Sequence, residues 1–349
     1  MRALWLAVAL VLSLPVLICG FTLVTSASFL AEFLSEGRWR PLSAITPEAS
    51  ARPLPASAGG RAIPADLYAG ASLGRLPGLV LVHGLSPRGK DDPRLREAAS
   101  LLARAGWAVA VPTVEGLTRL RLRPDDALAA VAAVRALEQA GHRPVAILGI
   151  SLGAGPALLA AADPSVASSV SAVLALGGYA SVVELLRYTL TGAYRFDGMS
   201  RRRPVNEAAI AQFALANTEL VDAAARRLVD NRDPEAVDRL VTELSPETRR
   251  LLDALSPEGE VGRIRAPLFL IHGRDDPAVP FTESLRLEQT ARAAGRQVRT
   301  VIVGSLRHVE PENRAGPLDL VKLWAGFYAF EVISGRAASA GLTSAGRGS

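Results

Sequence analysis

The chain has 349 residues, 49% of them hydrophobic, with a formal net charge of +5 and a single cysteine. That length suits one large domain or two small ones, and the lone Cys19 excludes an internal disulfide framework, a thiolate metal site and a cysteine nucleophile in the remainder. The positive charge is almost all arginine, with lysine only at Lys90 and Lys322. The one compact basic run, Arg201-Arg202-Arg203, has no interleaved aromatics and no nucleic-acid motif, so it reads as solvated surface, at most tolerant of anionic lipid, and no nucleic-acid partner is expected.

From Ala3 to Val24 the sequence is almost unbroken apolar residues behind Arg2. A membrane-spanning helix needs about 20 such residues and a signal-peptide core about 7–15, so residues 1–24 are expected as a retained signal-anchor helix. The positive amino end would keep the N-terminus in the cytoplasm and carry the catalytic part out of it. Cleavage after a small residue such as Ala27, giving a secreted protein, is the alternative. Bulky Ile18 before Cys19 argues against a lipoprotein signal. Residues 25–60 are expected as a linker, because Pro41–Gly60 is rich in Pro, Ala and Ser without apolar period, and residues 335–349 as a disordered tail.

Between residues 61 and 334 short β-type runs alternate with helical segments. Strands are expected at Leu79–Val82, Trp107–Val111, Val145–Ile150 and Ala172–Leu176, with helices near Pro93–Ala105, at Pro124–Ala140 and at Leu152–Ala162. Two more units follow: Leu268–Ile271 with a helix near Glu283–Ala294, and Val298–Val303 with a helix at Leu318–Ile333. Continuous apolar strands between helices imply a mostly parallel central sheet flanked by helices on both faces. From about 180 to 258 the pattern becomes helix after helix, which reads as a helical cap over the C-terminal edge of the sheet, where open α/β sheets bind ligands.

Gly149-Ile150-Ser151-Leu152-Gly153 matches the G-x-S-x-G nucleophile elbow, in which small residues flank a serine on a tight strand-to-helix turn. Gly70-Ala71-Ser72-Leu73-Gly74 matches too, but precedes loop sequence, whereas Ser151 follows an apolar strand and opens an Ala/Leu-rich helix. Ser151 is therefore the expected nucleophile. Of the four histidines, His308 follows the last strand and the acid candidates, as the order nucleophile, acid, base requires. His142 reads as an exposed loop residue and His83 as a structural one. The acid lies in His272-Gly273-Arg274-Asp275-Asp276-Pro277-Ala278-Val279-Pro280, after a buried strand, and composition does not decide between the adjacent aspartates. The backbone N–H groups of Leu152 and of Leu85, in the His83-Gly84-Leu85 turn, are the expected oxyanion donors.

Together HGL, GISLG, HGRDDPAVP and a late loop histidine resemble the α/β-hydrolase superfamily over about Ile63 to Ser334, and within it bacterial dienelactone-hydrolase or prolyl-oligopeptidase-like serine esterases. The resemblance implies an α/β-hydrolase fold, places the acid at Asp276, three residues before Val279, and puts the first oxyanion donor just after His-Gly. It leaves the substrate open, because Val111–Gly116 departs from the Asp/Arg/Gly-rich loop many relatives carry there.

The expected activity is a serine hydrolase acting on carboxylic esters or related small acyl compounds. The alternative is a membrane-tethered, non-catalytic binding or scaffold protein on the same fold. With no dinucleotide-type glycine fingerprint after the first strand and no ligand-spaced His/Asp cluster, neither cofactor nor metal is expected.

Overall fold

The computed structural model describes residues 22–71, 76–217, 223–304, 306–307, 310–311 and 316–345. Helix α1 (residues 22–34) and the short α2 (Pro41–Ile45) lead into four short strands, β1 (Ser50–Pro53), β2 (Ala56–Ala58), β3 (Arg61–Ile63) and β4 (Ala65–Ala69). The alternating part runs β5 (Gly78–Val82), α3 (Pro93–Arg104), β6 (Ala108–Pro112), α4 (Glu115–Thr118), α5 (Ala127–Gln139), β7 (Val145–Ile150), α6 (Ala154–Ala162) and β8 (Val170–Leu176). A cap follows, made of α7 (Val182–Thr191), β9 (Ala193–Phe196), β10 (Met199–Arg202), α8 (Glu207–Ala216), α9 (Ala223–Asp230), α10 (Val237–Glu243) and α11 (Pro246–Ala254). The chain then returns to the sheet with β11 (Leu268–Gly273), α12 (Thr282–Ala293), β12 (Val298–Val303) and α13 (Pro317–Ala345).

The main sheet has eight strands in the order β1-β4-β6-β5-β7-β8-β11-β12. β1 and β4 are antiparallel to their neighbours, and the other six run parallel. Every residue of β5, β6 and β11 is buried, which is why these strands read as unbroken apolar runs. Within them the side chains still part to two faces. Val80, Val82, Ile147, Leu268 and Leu270 pack with α5, α6 and α12. Leu79, Leu81, Leu148, Phe269 and Ile271 pack with α1, α3 and α13. β6 lies on one side of β5 and β7 on the other, so successive connections diverge between the ends of β5 and β7. A crevice at such a switch point is the ligand site of open α/β sheets.

Three expectations need correction. Residues 25–60 are not a linker: Phe29 of α1 stacks on Phe327 of α13 with ring centroids 4.7 Å apart, Leu42 is fully buried, and β1 is the edge strand of the main sheet. All four β1 residues are exposed, so the strand is held by backbone pairing to β4 and shows no apolar period to read. Pro53 fits there because an edge strand tolerates a missing N–H. The tail is not irregular from 335 either, since α13 continues to Ala345, through a stretch whose sequence has no apolar stripe to read. The cap, lastly, is not purely helical. Its β9–β10 hairpin turns at Asp197-Gly198, both at positive φ, the conformation of a tight two-residue turn.

The apolar stretch expected to form the anchor lies, through residue 21, outside the described residues. Among the described residues no helix is long and apolar enough to cross a membrane.

Candidate active site

β7 ends at Ile150 and α6 begins at Ala154, so the chain must reverse within three residues, Ser151–Gly153. Ser151 makes the turn at φ +54°, a left-handed conformation that costs an L-residue roughly 1–2 kcal/mol. Packing holds it there. A Cβ on Gly149 would sit 2.6 Å from the Ala154 Cα, and one on Gly153 would sit 2.1 Å from the His83 carbonyl oxygen. A Cβ on Gly84 would lie 3.1 Å from the Ser151 Cβ and 3.5 Å from its Oγ, so the His-Gly turn after β5 passes directly beside the serine. Leu85 follows on that turn and Leu152 follows Ser151 on the other, which brings both expected oxyanion donors to this rim. Ser72, with Leu73 and Gly74 of its motif, lies outside the described residues.

His83 shapes the turn. It is 2% exposed, with Nδ1 2.7 Å from the Gly84 carbonyl and Nε2 accepting the Val114 N–H at 3.0 Å. The Nδ1–H tautomer satisfies both contacts, and burial holds the imidazole below its usual pKa, in the neutral form this network needs. His142 is half-buried rather than exposed, its Nδ1 2.9 Å from the Leu76 carbonyl.

Asp276 sits in the loop after β11, at the same sheet edge, and is 1% exposed. Its Oδ1 accepts the N–H groups of Ala278 (2.8 Å) and Val279 (2.9 Å). Its Oδ2 lies 3.4 Å from Nε2 of the fully buried His272. That imidazole also approaches the Val279 carbonyl at 3.0 Å, while its Nδ1 meets the Ser284 hydroxyl at 2.7 Å. Asp275 turns the other way: its side chain is 65% exposed and accepts Nη2 of Arg203 at 2.9 Å. Of the two aspartates, only Asp276 is a buried, pre-oriented carboxylate.

His308 lies outside the described residues. The chain just before it is placed: Leu306 is buried, and its carbonyl oxygen would be 2.2 Å from a Cβ on Gly273, at the start of the acid loop. Ser151, Asp276, Leu85 and Leu152 therefore gather at one edge, and the segment leading to residue 308 packs against the root of the acid loop. Among the described residues no group of three or more His, Cys, Asp or Glu side chains is arranged to hold a metal ion.

Two cap side chains also reach this edge. The Tyr188 hydroxyl donates to the carbonyls of Pro277 (3.2 Å) and Asp276 (3.3 Å). Arg203 Nη1 donates to the carbonyls of Asp275 (2.8 Å) and Asp276 (3.3 Å), and Nη2 to that of Arg274 (3.3 Å). The last residue of the basic run is thus engaged in the site and is not merely solvated. Only its partners, some 70 residues further on, distinguish it from its neighbours, and no local pattern carries that.

A model described as the alpha/beta hydrolase family matches residues 79–314. No curated protein matches the sequence. Among solved structures the chain is similar to an acylaminoacyl peptidase of Pyrococcus horikoshii, with TM-score 0.55 and 17% identity, covering 81% of this chain and 41% of that one. It is also similar to a puromycin-hydrolyzing peptidase of Mycobacterium tuberculosis, with TM-score 0.52 and 20% identity, covering 83% of this chain and 39% of that one. A dienelactone hydrolase from Anabaena variabilis aligns with TM-score 0.48 and 18% identity, over 81% of this chain and 96% of that one. The chain spans well under half the length of the two peptidases. By its fold and its match over two thirds of its length, the chain belongs to the α/β hydrolase family.

Proposed function

We propose that the chain is a serine hydrolase that cleaves carboxylic esters, or closely related acyl compounds, through an acyl-enzyme. Ser151 Oγ attacks the substrate carbonyl while His308 takes its proton. The oxyanion of the tetrahedral intermediate is met by the backbone N–H groups of Leu85 and Leu152. His308 then returns the proton to the departing alcohol, and water, activated by the same imidazole, releases the acid. Asp276 fixes the tautomer of the imidazole and stabilises its cation. The observation that carries this reading is the left-handed Ser151, wedged by Gly149 and Gly153 at the switch point, with a buried aspartate at the same edge. Backbone strain held by packing at a polar residue is what motivates this reading.

A fluorophosphonate probe on the full chain is expected to label Ser151 and to leave Ser151→Ala unlabelled. Hydrolysis of p-nitrophenyl esters should fall about 1000-fold or more in that variant. Equal labelling of both proteins, or ester turnover unchanged in Ser151→Ala, would leave the non-catalytic scaffold reading. Running aminoacyl p-nitroanilides beside the esters separates amide from ester preference.

We further propose that residues 1–24 anchor the chain in a membrane, with the hydrolase domain outside the cytoplasm. The apolar length and the preceding Arg2 support this. The full chain should stay with the membrane fraction through an alkaline carbonate wash, and a chain lacking residues 2–24 should not. Release of the full chain as a shortened soluble form would establish cleavage and secretion instead.

A further inference from the structure

We propose that the cap is a clamp on the acid loop, in which Arg203 and Tyr188 are positioning residues that hold Asp276, and not Asp275, turned toward the catalytic edge. The proposal rests on the serine-hydrolase reading above.

The choice between two adjacent aspartates is a question of backbone orientation. Asp276 is buried and Asp275 exposed, so exchanging them would require the 274–277 peptide planes to turn over. Asp276 is held from below by its own turn, through Ala278 and Val279, and by His272 of β11. Those bonds secure the carboxylate once it is inward. They do nothing for the carbonyls of Arg274, Asp275 and Asp276, which face the cap. One planar guanidinium collects all three, and its second edge takes the Asp275 carboxylate outward. A fork of this kind fixes direction as well as distance. The Tyr188 hydroxyl adds the carbonyls of Asp276 and Pro277. Burial raises this phenol to about 12, so it stays a donor across the working pH range.

Both positioning residues are themselves tied to one junction. The Gly192 N–H donates to the Tyr188 carbonyl at 2.8 Å, and the Arg203 N–H donates to the Gly192 carbonyl at 2.9 Å. Gly192 sits at φ +72°, and a Cβ there would lie 2.0 Å from the Arg203 carbonyl oxygen. The end of α7 and the base of the β9–β10 hairpin therefore close on each other and aim both side chains at the acid loop. With these bonds in place the hairpin side of the cap is fixed to the acid loop.

The test compares Arg203→Ala, Arg203→Lys and Tyr188→Phe with the wild-type full chain, reading kcat, KM, the pH dependence of kcat/KM and the melting temperature. Misplacing a group by about an ångström costs up to roughly 100-fold. Arg203→Ala is expected to lower kcat at least about 10-fold with KM within about 3-fold and Tm nearly unchanged. An imidazolium that loses its aligned carboxylate is less stable, so the acid limb of kcat/KM should also move to lower pH. Arg203→Lys, with its charge but no fork, should recover part of the loss, and Tyr188→Phe should lose about 2-fold with the same direction of pH shift. A fall in Tm with an unmoved acid limb would make Arg203 a scaffold residue and overturn the clamp. If Arg203→Ala does not fold, Arg203→Lys and Tyr188→Phe decide by the same two readings. Ser151→Ala and Asp276→Asn run alongside: if both retain activity, the triad reading fails. If both are inactive while the Arg203 variants match wild type, only the clamp fails.

Discussion

The elbow after β7 and the stem of the cap lie close together in the fold and are held by opposite means. At the elbow there is no room. Gly149 and Gly153 face the backbone of α6 and of the His83 turn at distances no side chain could meet, and Gly155 faces the Tyr179 ring, whose hydroxyl would be 2.1 Å from a Cβ there. At the cap stem it is bonding that dominates. The Tyr179 hydroxyl donates to the Leu255 carbonyl at 3.0 Å, the Val182 N–H to Ser256 Oγ at 3.0 Å, and the N–H groups of Ala180 and Ser181 to the Glu283 carboxylate at 3.0 and 2.9 Å. The elbow's own residues are contiguous in sequence, although one wall of it is the distant His83 turn, whereas each stem bond joins residues more than 70 positions apart that share no motif. Steric specification is unforgiving. Polar specification is distant and can be tuned by protonation.

Gly153→Ala should break the steric side of this comparison with the largest effect. The added methyl would meet a backbone carbonyl on a neighbouring loop, which cannot swing away as the end of a flexible side chain could. A loss of about 3–5 kcal/mol in denaturant-unfolding stability is expected, or failure to fold. A variant within about 1 kcal/mol of wild type would mean that the β5 turn and the elbow can separate, and that the Gly84 contact with Ser151 is not enforced.

The same contrast explains what could be read from sequence. The parallel strands and the strand-to-helix turn at Ser151 were legible because fully buried strands are near-continuous apolar runs and the elbow motif is contiguous. β1 was not, because its four exposed residues contribute through backbone bonds alone. The β9–β10 hairpin did leave a sign, Asp197-Gly198, but it was submerged in a segment dominated by helical period. The pair Asp275-Asp276 could not be resolved from local chemistry. Which aspartate turns inward depends on Arg203 and Tyr188, and neither lies near them in the chain. Arg203 was read as solvated because a run of three arginines looks alike residue by residue, while only one of them meets the carbonyls of the acid loop.

Glu283 sharpens the polar side, with a smaller and pH-dependent effect. Its carboxyl is 1% exposed, and one oxygen serves both stem N–H groups. The charged groups facing it are Arg286 on its own helix, with Nε at 3.4 Å, and Glu184 of α7, which repels it and is itself 3.8 Å from Arg286. Burial outweighs the bonds that favour the anion and pushes the carboxyl from 4.5 up to about 7. A group that holds its proton more tightly when folded favours the fold at low pH. That advantage is complete below about 4.5 and is lost as pH rises through about 7. Glutamine keeps an oxygen for the two N–H groups and removes the titration, at the cost of the Arg286 contact. Glu283→Gln is therefore expected to match wild type near pH 5 and to exceed it at pH 8 by roughly 1–3 kcal/mol, measured as the difference between the two denaturation curves at each pH. Taking the difference cancels the exposed carboxylates whose pKa values are lowered by ion pairs, since both proteins share them. A wild type that stays more stable at pH 8 would show that the N–H pair and Arg286 outweigh burial, and that the stem is pinned by a carboxylate already ionised at neutral pH.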